Sequence, residues 1–276
     1  LKTFEGAVCI VTGGSSGLGH AVAEELGNRK VRTVVILDRS DAGGEEEFVA
    51  SVQTNSGHET KFYKVDVRNF EDVDRVVKET KRMYGRLDYI FNNAGILAVG
   101  SIEDVGVDGF NYVLDVNLRG VANGVYAAYP IMKEQGFGHI VNSIAIAGLC
   151  PFGDLITVYG ASKYGVVGLT MNLRVEAARH GVYVSALSPN VVRSPILRGG
   201  TYGMIPETVS RDELGKFFEE FHPMDPKKFA VKALNQVAKN KPIIMVPAGP
   251  FRTLFCIHRL FPNFGLFLAR RDSNKR

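Results

Sequence analysis

The chain lacks the features that staple a protein or anchor it in a membrane. It has three cysteines, Cys9, Cys150 and Cys256, scattered and without CxxC spacing. An odd, dispersed set argues against a disulfide framework and against a zinc site, so no metal is expected. It fits a reducing compartment, and a cytoplasmic location is the expectation. No apolar run reaches the ~18 residues a membrane helix needs. The opening stretch LKTFEGAVCIVTGG has no basic region ahead of an apolar run and no cleavage motif. It reads as the approach to a strand, not as a signal peptide. There is no zinc-finger or RNA-binding signature and no basic arm, so no nucleic-acid partner is expected. The formal net charge is only +4, much of it from Lys227-Lys228 and the C-terminal end. No internal repeat or low-complexity linker divides the chain, and residues 1–276 read as one domain.

Of the residues present, 45% are apolar and 22% charged, enough for a sizeable core. Short runs rich in Val and Ile at 7–11, 33–37, 62–65, 87–91, 139–144, 182–187 and 243–246 read as strands buried on both faces. Helical patterns fall between them at 18–29, 43–55, 70–84, 109–135, 157–179 and 226–239. This alternation predicts an α/β fold, a doubly wound parallel sheet of Rossmann type in three αβα layers. Residues 190–224 break the rhythm with Pro and Gly, as a functional lid does.

The first strand runs into Thr12-Gly13-Gly14-Ser15-Ser16-Gly17-Leu18-Gly19, with a helix after it. Glycines permit a tight turn and let backbone amides approach a pyrophosphate, and the helix start adds unpaired donors. Asp38 closes the second strand about 20 residues later. An acid there accepts hydrogen bonds from the adenosine ribose and repels a 2′-phosphate, which favours NAD over NADP. Arg39 follows it and can face a phosphate. Each signal alone has an ordinary explanation, a plain strand–helix turn or a loop acid.

The glycine spacing is Gly-x-x-x-Gly-x-Gly, and here the sequence resembles the short-chain dehydrogenase/reductase family, whose motif is TGxxxGxG. The resemblance continues in order over about 180 residues. Asp66-Val67 match the adenine-contacting position, Asn92-Asn93-Ala94-Gly95 the NNAG motif, Asn117 the catalytic asparagine, and Tyr159 and Lys163 the YxxxK motif. Pro189 through Ser194 match PGxVxT, with Asn190 for Gly and Ser194 for Thr. The resemblance implies a cofactor site formed by Gly13, Ser15, Ser16, Gly17, Leu18, Gly19, Asp38, Arg39, Asp66, Val67, Asn93, Ala94, Gly95, Tyr159, Lys163, Pro189, Val192 and Ser194. It also implies a homodimer or homotetramer.

Tyr159 and Lys163, four residues apart on a helix, share one face. A nearby ammonium favours phenolate and lowers the tyrosine pKa, so the pair can move a proton at an alcohol oxygen. In the family the lysine also holds the nicotinamide ribose, and Asn117 orders a water of the relay. One family residue is missing. In a GxIVNxSSxxG pattern the catalytic serine precedes a glycine by three; aligned on Asn142 and Gly148, that position is Ala145. Losing such a donor typically costs ~2.7–4 kcal/mol. Ser143 lies two residues back, and a bulge would be needed to bring it forward. Three readings stay open: a dehydrogenase in which Ser143, a water or the substrate replaces the serine; an enzyme whose reaction needs less carbonyl polarisation; and a dinucleotide-binding sensor or partner subunit with weak or no turnover.

The lid offers Ile196, Leu197, Tyr202, Met204, Ile205, Phe217, Phe218 and Phe221, which suggests a hydrophobic small-molecule substrate or plain packing of lid helices. The 247–276 extension is apolar with interspersed Arg252, His258, Arg259, Arg270 and Arg271. It is expected to cover the domain or a neighbouring subunit, line the substrate entrance, or make a peripheral membrane contact. Pro262 and Gly265 are expected to break it.

Overall fold

The computed structural model describes residues 3–40, 52, 57–198, 203–206 and 209–273. Seven strands form one all-parallel sheet: β1 Val8–Thr12, β2 Thr33–Asp38, β3 Glu59–Lys64, β4 Tyr89–Asn92, β6 Gly138–Ser143, β7 Val182–Pro189 and β9 Ile243–Val246, in the order β3-β2-β1-β4-β6-β7-β9. The predicted parallel α/β sheet is the one observed. β1 and β2 are buried at every position, as their unbroken apolar runs require. β3 differs from expectation. It begins three residues early because an edge strand needs only one apolar face, and its burial alternates along ETKFYK.

Helices cover both faces. α1 (Gly17–Asn28) and α7 (Pro226–Val237) pack on one side, where Leu26, Phe229 and Leu234 meet Val11, Val34 and Ile36. On the other side lie α2 (Phe70–Tyr84), α4 (Gly120–Gln135) and α5 (Thr157–Ala178). α2 shows the local logic best. Val73, Val76, Val77, Thr80 and Tyr84 recur at helical spacing and are buried, Asn69 caps its start by accepting from Asp72 N, and Gly85 ends it at φ 76°.

Three departures matter. The helix expected at 109–135 begins earlier, as α3 (Ile102–Leu114), behind a Ser101–Asp104 capping box. It is then interrupted by a π turn, Asp115–Arg119, before α4. A second, two-stranded parallel ribbon pairs β5 (Leu97–Ala98) with β8 (Gly203–Met204), tying the lid to the end of β4. The tail is not broken at Gly265. It folds as α8 (Gly249–Leu260) and α9 (Pro262–Ser273); Pro262 opens the second helix, and Gly265 lets it approach His258, where a Cβ would sit 2.6 Å from Nδ1. Among the described residues of the lid, a 3₁₀ turn, Pro195–Arg198, and α6 (Arg211–Glu220) are helical. The helix expected at 43–55 lies outside the described residues except for buried Val52, and Tyr202 lies outside them as well.

Sheet order reverses between β1 and β4, so their carboxyl ends diverge and leave a crevice at one edge of the sheet. Close packing on both faces gives a paired stability prediction. At Gly124 in α4 a Cβ would fall 2.0 Å from Asn92 Oδ1, whereas at exposed Gly168 in α5 it would meet nothing within 4 Å. Thermal unfolding should show Gly124→Ala destabilised by ~1–3 kcal/mol. Gly168→Ala should be stabilised by ~0.5–1 kcal/mol. Equal effects of the two would contradict this packing.

Candidate active site

The carboxyl ends of β1, β4, β6 and β7 open into one cleft of about 450 Å³. Its floor is fixed by Thr12, which sequence reasoning included in the motif but did not single out. The Thr12 hydroxyl accepts from the backbone amides of both Asn93 and Ala94 at 3.0 Å and donates to Phe91 O at 3.5 Å. All three hydrogen-bonding capacities of the hydroxyl are used. The Asn93 side chain returns the contact, its amide donating to the carbonyls of Thr12 and Gly13. The loop after β1 and the loop after β4 are thereby locked together.

Glycine is required in this lock. At Gly13, φ is +64° and a Cβ would lie 2.7 Å from Ala94 Cα; at Gly19 it would lie 2.1 Å from Gly13 O. Gly19 thus supports the loop from behind, while Gly13, Ser16, Gly17 and Leu18 face the cleft. The start of α1 has no side-chain cap, so its first amides are free for a ligand. Across from it, Ser194 Oγ is buried with no hydrogen-bond partner among the described residues, and its Cβ lies 3.3 Å from where a Gly17 Cβ would be.

At the far end of the cleft, Asp38 Oδ2 accepts from Ser15 N at 3.0 Å and Oδ1 from Ser40 N at 3.1 Å. The Ser15 hydroxyl is bonded to that of Ser40. Arg39 lines the cleft beside Asp38 and donates to Tyr112 OH. Asp66 is clasped by Arg68 at 2.6 Å, and this guanidinium holds the Asp66 carboxyl below the usual range. Val67 lines the cleft beside it, as do Gly95, Pro189 and Val192.

The near end gathers Tyr159, Lys163, Asn117, Ser143 and Ala145. Asn117 sits on the π turn, fully buried, with its amide donating to Ile96 O and Ser162 Oγ and its Oδ1 accepting from Ile96 N. Its side chain is therefore a latch between α3–α4, α5 and the NNAG loop. Lys163 is also buried, and Nζ donates to Ser143 O at 3.0 Å while lying 5.7 Å from the centre of the Tyr159 ring. Burial lowers the Lys163 pKa to about 8 and pushes that of Tyr159 up. This corrects the expectation that the ammonium lowers the phenol. The Nζ proton is directed to a backbone carbonyl, and burial drives the upward shift of the phenol.

Ser143 lines the cleft at the end of β6. β6 reaches it without a bulge, paired opposite Leu187, and its hydroxyl donates to Asn93 Oδ1. Ser143 therefore braces the floor rather than moving forward. The register that assigns Ala145 rests on two anchors with structural reasons of their own. Asn142 bonds Asn92 and Thr170, and Gly148 lies so close to α5 that a Cβ would sit 2.8 Å from the Lys163 carbonyl. Ala145 itself lines the cleft.

Beyond Tyr159 the cleft is apolar. Ala145, Phe152, Leu155, Leu214, Phe217 and Phe218 bound it together with Ile196 and Leu197. Among the described residues, the charged lining groups are Asp38, Arg39, Asp66 and Lys163, all on the other side of the tyrosine or beneath it. Phe152 and Phe251 were missed from sequence. Phe152 packs on Phe221 at 5.8 Å and on Phe251 of α8 at 6.2 Å, while Phe221 meets Phe217 at 5.1 Å. The signal was an aromatic spacing across three distant segments, which no local pattern reveals. Met204 and Ile205 pack instead around the β5–β8 ribbon.

The short chain dehydrogenase family model matches residues 7–201. The chain belongs to the short-chain dehydrogenase family. It is 34% identical over 226 residues to levodione reductase of Leifsonia aquatica, covering 82% of each chain. A levodione reductase crystal structure superposes with a TM-score of 0.79 at 28% identity, covering 90% of this chain and 99% of the other. A short-chain dehydrogenase/reductase from Burkholderia phymatum in complex with NAD gives a TM-score of 0.81 at 26% identity, covering 93% and 95%. As a member of this family the chain is an oxidoreductase. Among the described residues no helix is long and apolar enough to cross a membrane, and no cluster could hold a metal ion.

The burial of Lys163 makes a pH prediction. Its folded pKa of about 8 lies below the ordinary 10.5, so the unfolded chain binds more protons between those values. Stability contributed by this residue therefore rises with pH across that window. The stability of the native chain relative to Lys163→Met should climb by on the order of 3 kcal/mol from pH 8 to 10.5 in denaturant titrations. A flat difference would show that the ammonium is not desolvated.

Proposed function

We propose that the protein is an NAD(H)-dependent oxidoreductase that interconverts a secondary alcohol and a ketone on a hydrophobic small molecule. The observation that carries this reading is the position of Tyr159, between a cleft end built for a dinucleotide and an uncharged, aromatic-lined end.

Several features support the cofactor. The glycine cradle, the uncapped start of α1 and the orphaned Ser194 hydroxyl suit a pyrophosphate. The Asp38 carboxylate at the adenosine end opposes a 2′-phosphate, so NAD is favoured over NADP; Arg39, bonded to Tyr112, lines the same end. When bound, the nicotinamide supplies or takes the hydride. The chain's own residues do the rest. Tyr159 gives a proton to the carbonyl oxygen or takes one from the alcohol. Lys163 would hold the ribose and, when charged, would oppose the upward push of burial on the phenol; burial brings its own pKa down to about 8. Asn117 fixes the π turn between α3 and α4, bonded to Ile96 and Ser162. The apolar walls exclude water and favour a neutral ring system over a polyol, carboxylate or phosphate ester.

Ala145 favours a second reading, a dinucleotide-binding member with weak turnover, because the substrate oxygen lacks the family's serine donor. Following nicotinamide absorbance with a panel of cyclic ketones and secondary alcohols separates the two. Turnover that falls on the order of 10²–10⁴-fold in Tyr159→Phe supports the enzyme. Ala145→Ser should then raise the rate, by up to on the order of 10²–10³-fold where no other donor serves. NADH binding without turnover across the panel in both the native chain and Ala145→Ser would overturn it.

A further inference from the structure

The chain is electrostatically divided. Between residues 226 and 271 it carries nine Lys and Arg and no Asp or Glu, while the remainder is net negative although the whole is +4. This segment lies outside the residues matched by the family model, 7–201, and ends in the α8–α9 hairpin. One side of α8 is anchored: Phe251 is buried, and Leu254 and Phe255 pack beside it against the core under the lid. The other side and the helix that follows are bare. Leu260 is 71% exposed, Phe261 64%, Phe264 50%, Leu266 41% and Phe267 57%, and the rings of Phe264 and Phe267 stack at 6.2 Å. Arg252, Arg259 and Arg270 are exposed on the same two helices and form no ion pair among the described residues.

Five large apolar side chains this open are rare on a monomer and mark a contact surface. Their setting selects the partner. A second copy docking face to face would bring the same arginines against each other, since a two-fold interface pairs a patch with itself. A bilayer bearing anionic headgroups answers both halves of the surface: leucine and phenylalanine enter the acyl boundary, and the arginines meet phosphate and carboxylate groups. Neither helix can span a bilayer, so the contact is interfacial. We propose that the α8–α9 hairpin seats this protein on an anionic lipid surface. The anchored side of the same hairpin touches Phe152, which lines the apolar end of the cleft. A membrane-dissolved substrate would thus arrive where the cleft is apolar, a consequence that rests on the functional reading above.

Vesicle co-sedimentation of the full chain tests the proposal without reference to activity. Vesicles of phosphatidylcholine with phosphatidylserine should carry the protein down, phosphatidylcholine alone should not, and rising salt should release it. Arg252→Glu, Arg259→Glu and Arg270→Glu should each weaken binding on the order of fivefold. The pair Phe264→Ser and Phe267→Ser should weaken it more than about tenfold, with an unchanged thermal midpoint and oligomeric state. Absence of binding to anionic vesicles, or equal binding to both compositions, overturns the proposal. Conversion of an oligomer to a smaller species by the phenylalanine pair would assign the face to a second copy instead.

Discussion

The Thr12 hydroxyl holds together the place where the sheet changes direction. Strands β1 and β4 leave the sheet on either side of the reversal, and their loops would otherwise be free to separate. One oxygen collects the amides of Asn93 and Ala94, and the Asn93 side chain answers to the carbonyls of Thr12 and Gly13. Each part-buried amide left without an acceptor would cost ~1–3 kcal/mol. The clamp places Gly13 against Ala94 with no room for a side chain. It also orients Asn93 to receive the Ser143 hydroxyl, whose carbonyl in turn receives Lys163. The glycine loop, the floor and Lys163 therefore form one hydrogen-bonded chain.

That chain gives Ser143 a structural role at the cleft floor. The Ser143 hydroxyl is bonded to the floor, and turning it away would leave Asn93 Oδ1 without that donor, while Lys163 keeps its bond to the Ser143 carbonyl. The site keeps the family's Tyr159 and Lys163 and has Ala145 at the serine position. Burial sets the character of the pair, holding Tyr159 protonated and drawing Lys163 toward its neutral form. A bound dinucleotide and substrate would change both by altering what surrounds them.

Much of the fold was legible because parallel strands buried on both faces announce themselves as Val- and Ile-rich runs. All seven sheet strands were read from sequence, and β3 was misplaced only because an edge strand spends half its residues on solvent. The ordered motifs carried the family as well. What stayed hidden depends on contacts between distant segments. The two-residue β5–β8 ribbon is too short to leave a pattern. The π turn at Asn117 looks like ordinary helix. Gly265 reads as a helix breaker until His258 is seen beside it. Whether Tyr159 rises or falls in pKa depends on burial, which sequence spacing does not encode. The charge division after residue 226 was visible throughout, but only the open faces of α8 and α9 give it meaning.

The account stands on the Thr12 clamp shaping a dinucleotide site. Calorimetric titration of NADH into the native chain and into Thr12→Val, which keeps the side-chain shape and removes the acceptor, tests it directly. Saturable binding to the native chain is predicted, weakened on the order of tenfold or more in the variant while cooperative unfolding persists. A native chain that takes up no NADH, or a variant that titrates like the native chain, would contradict it.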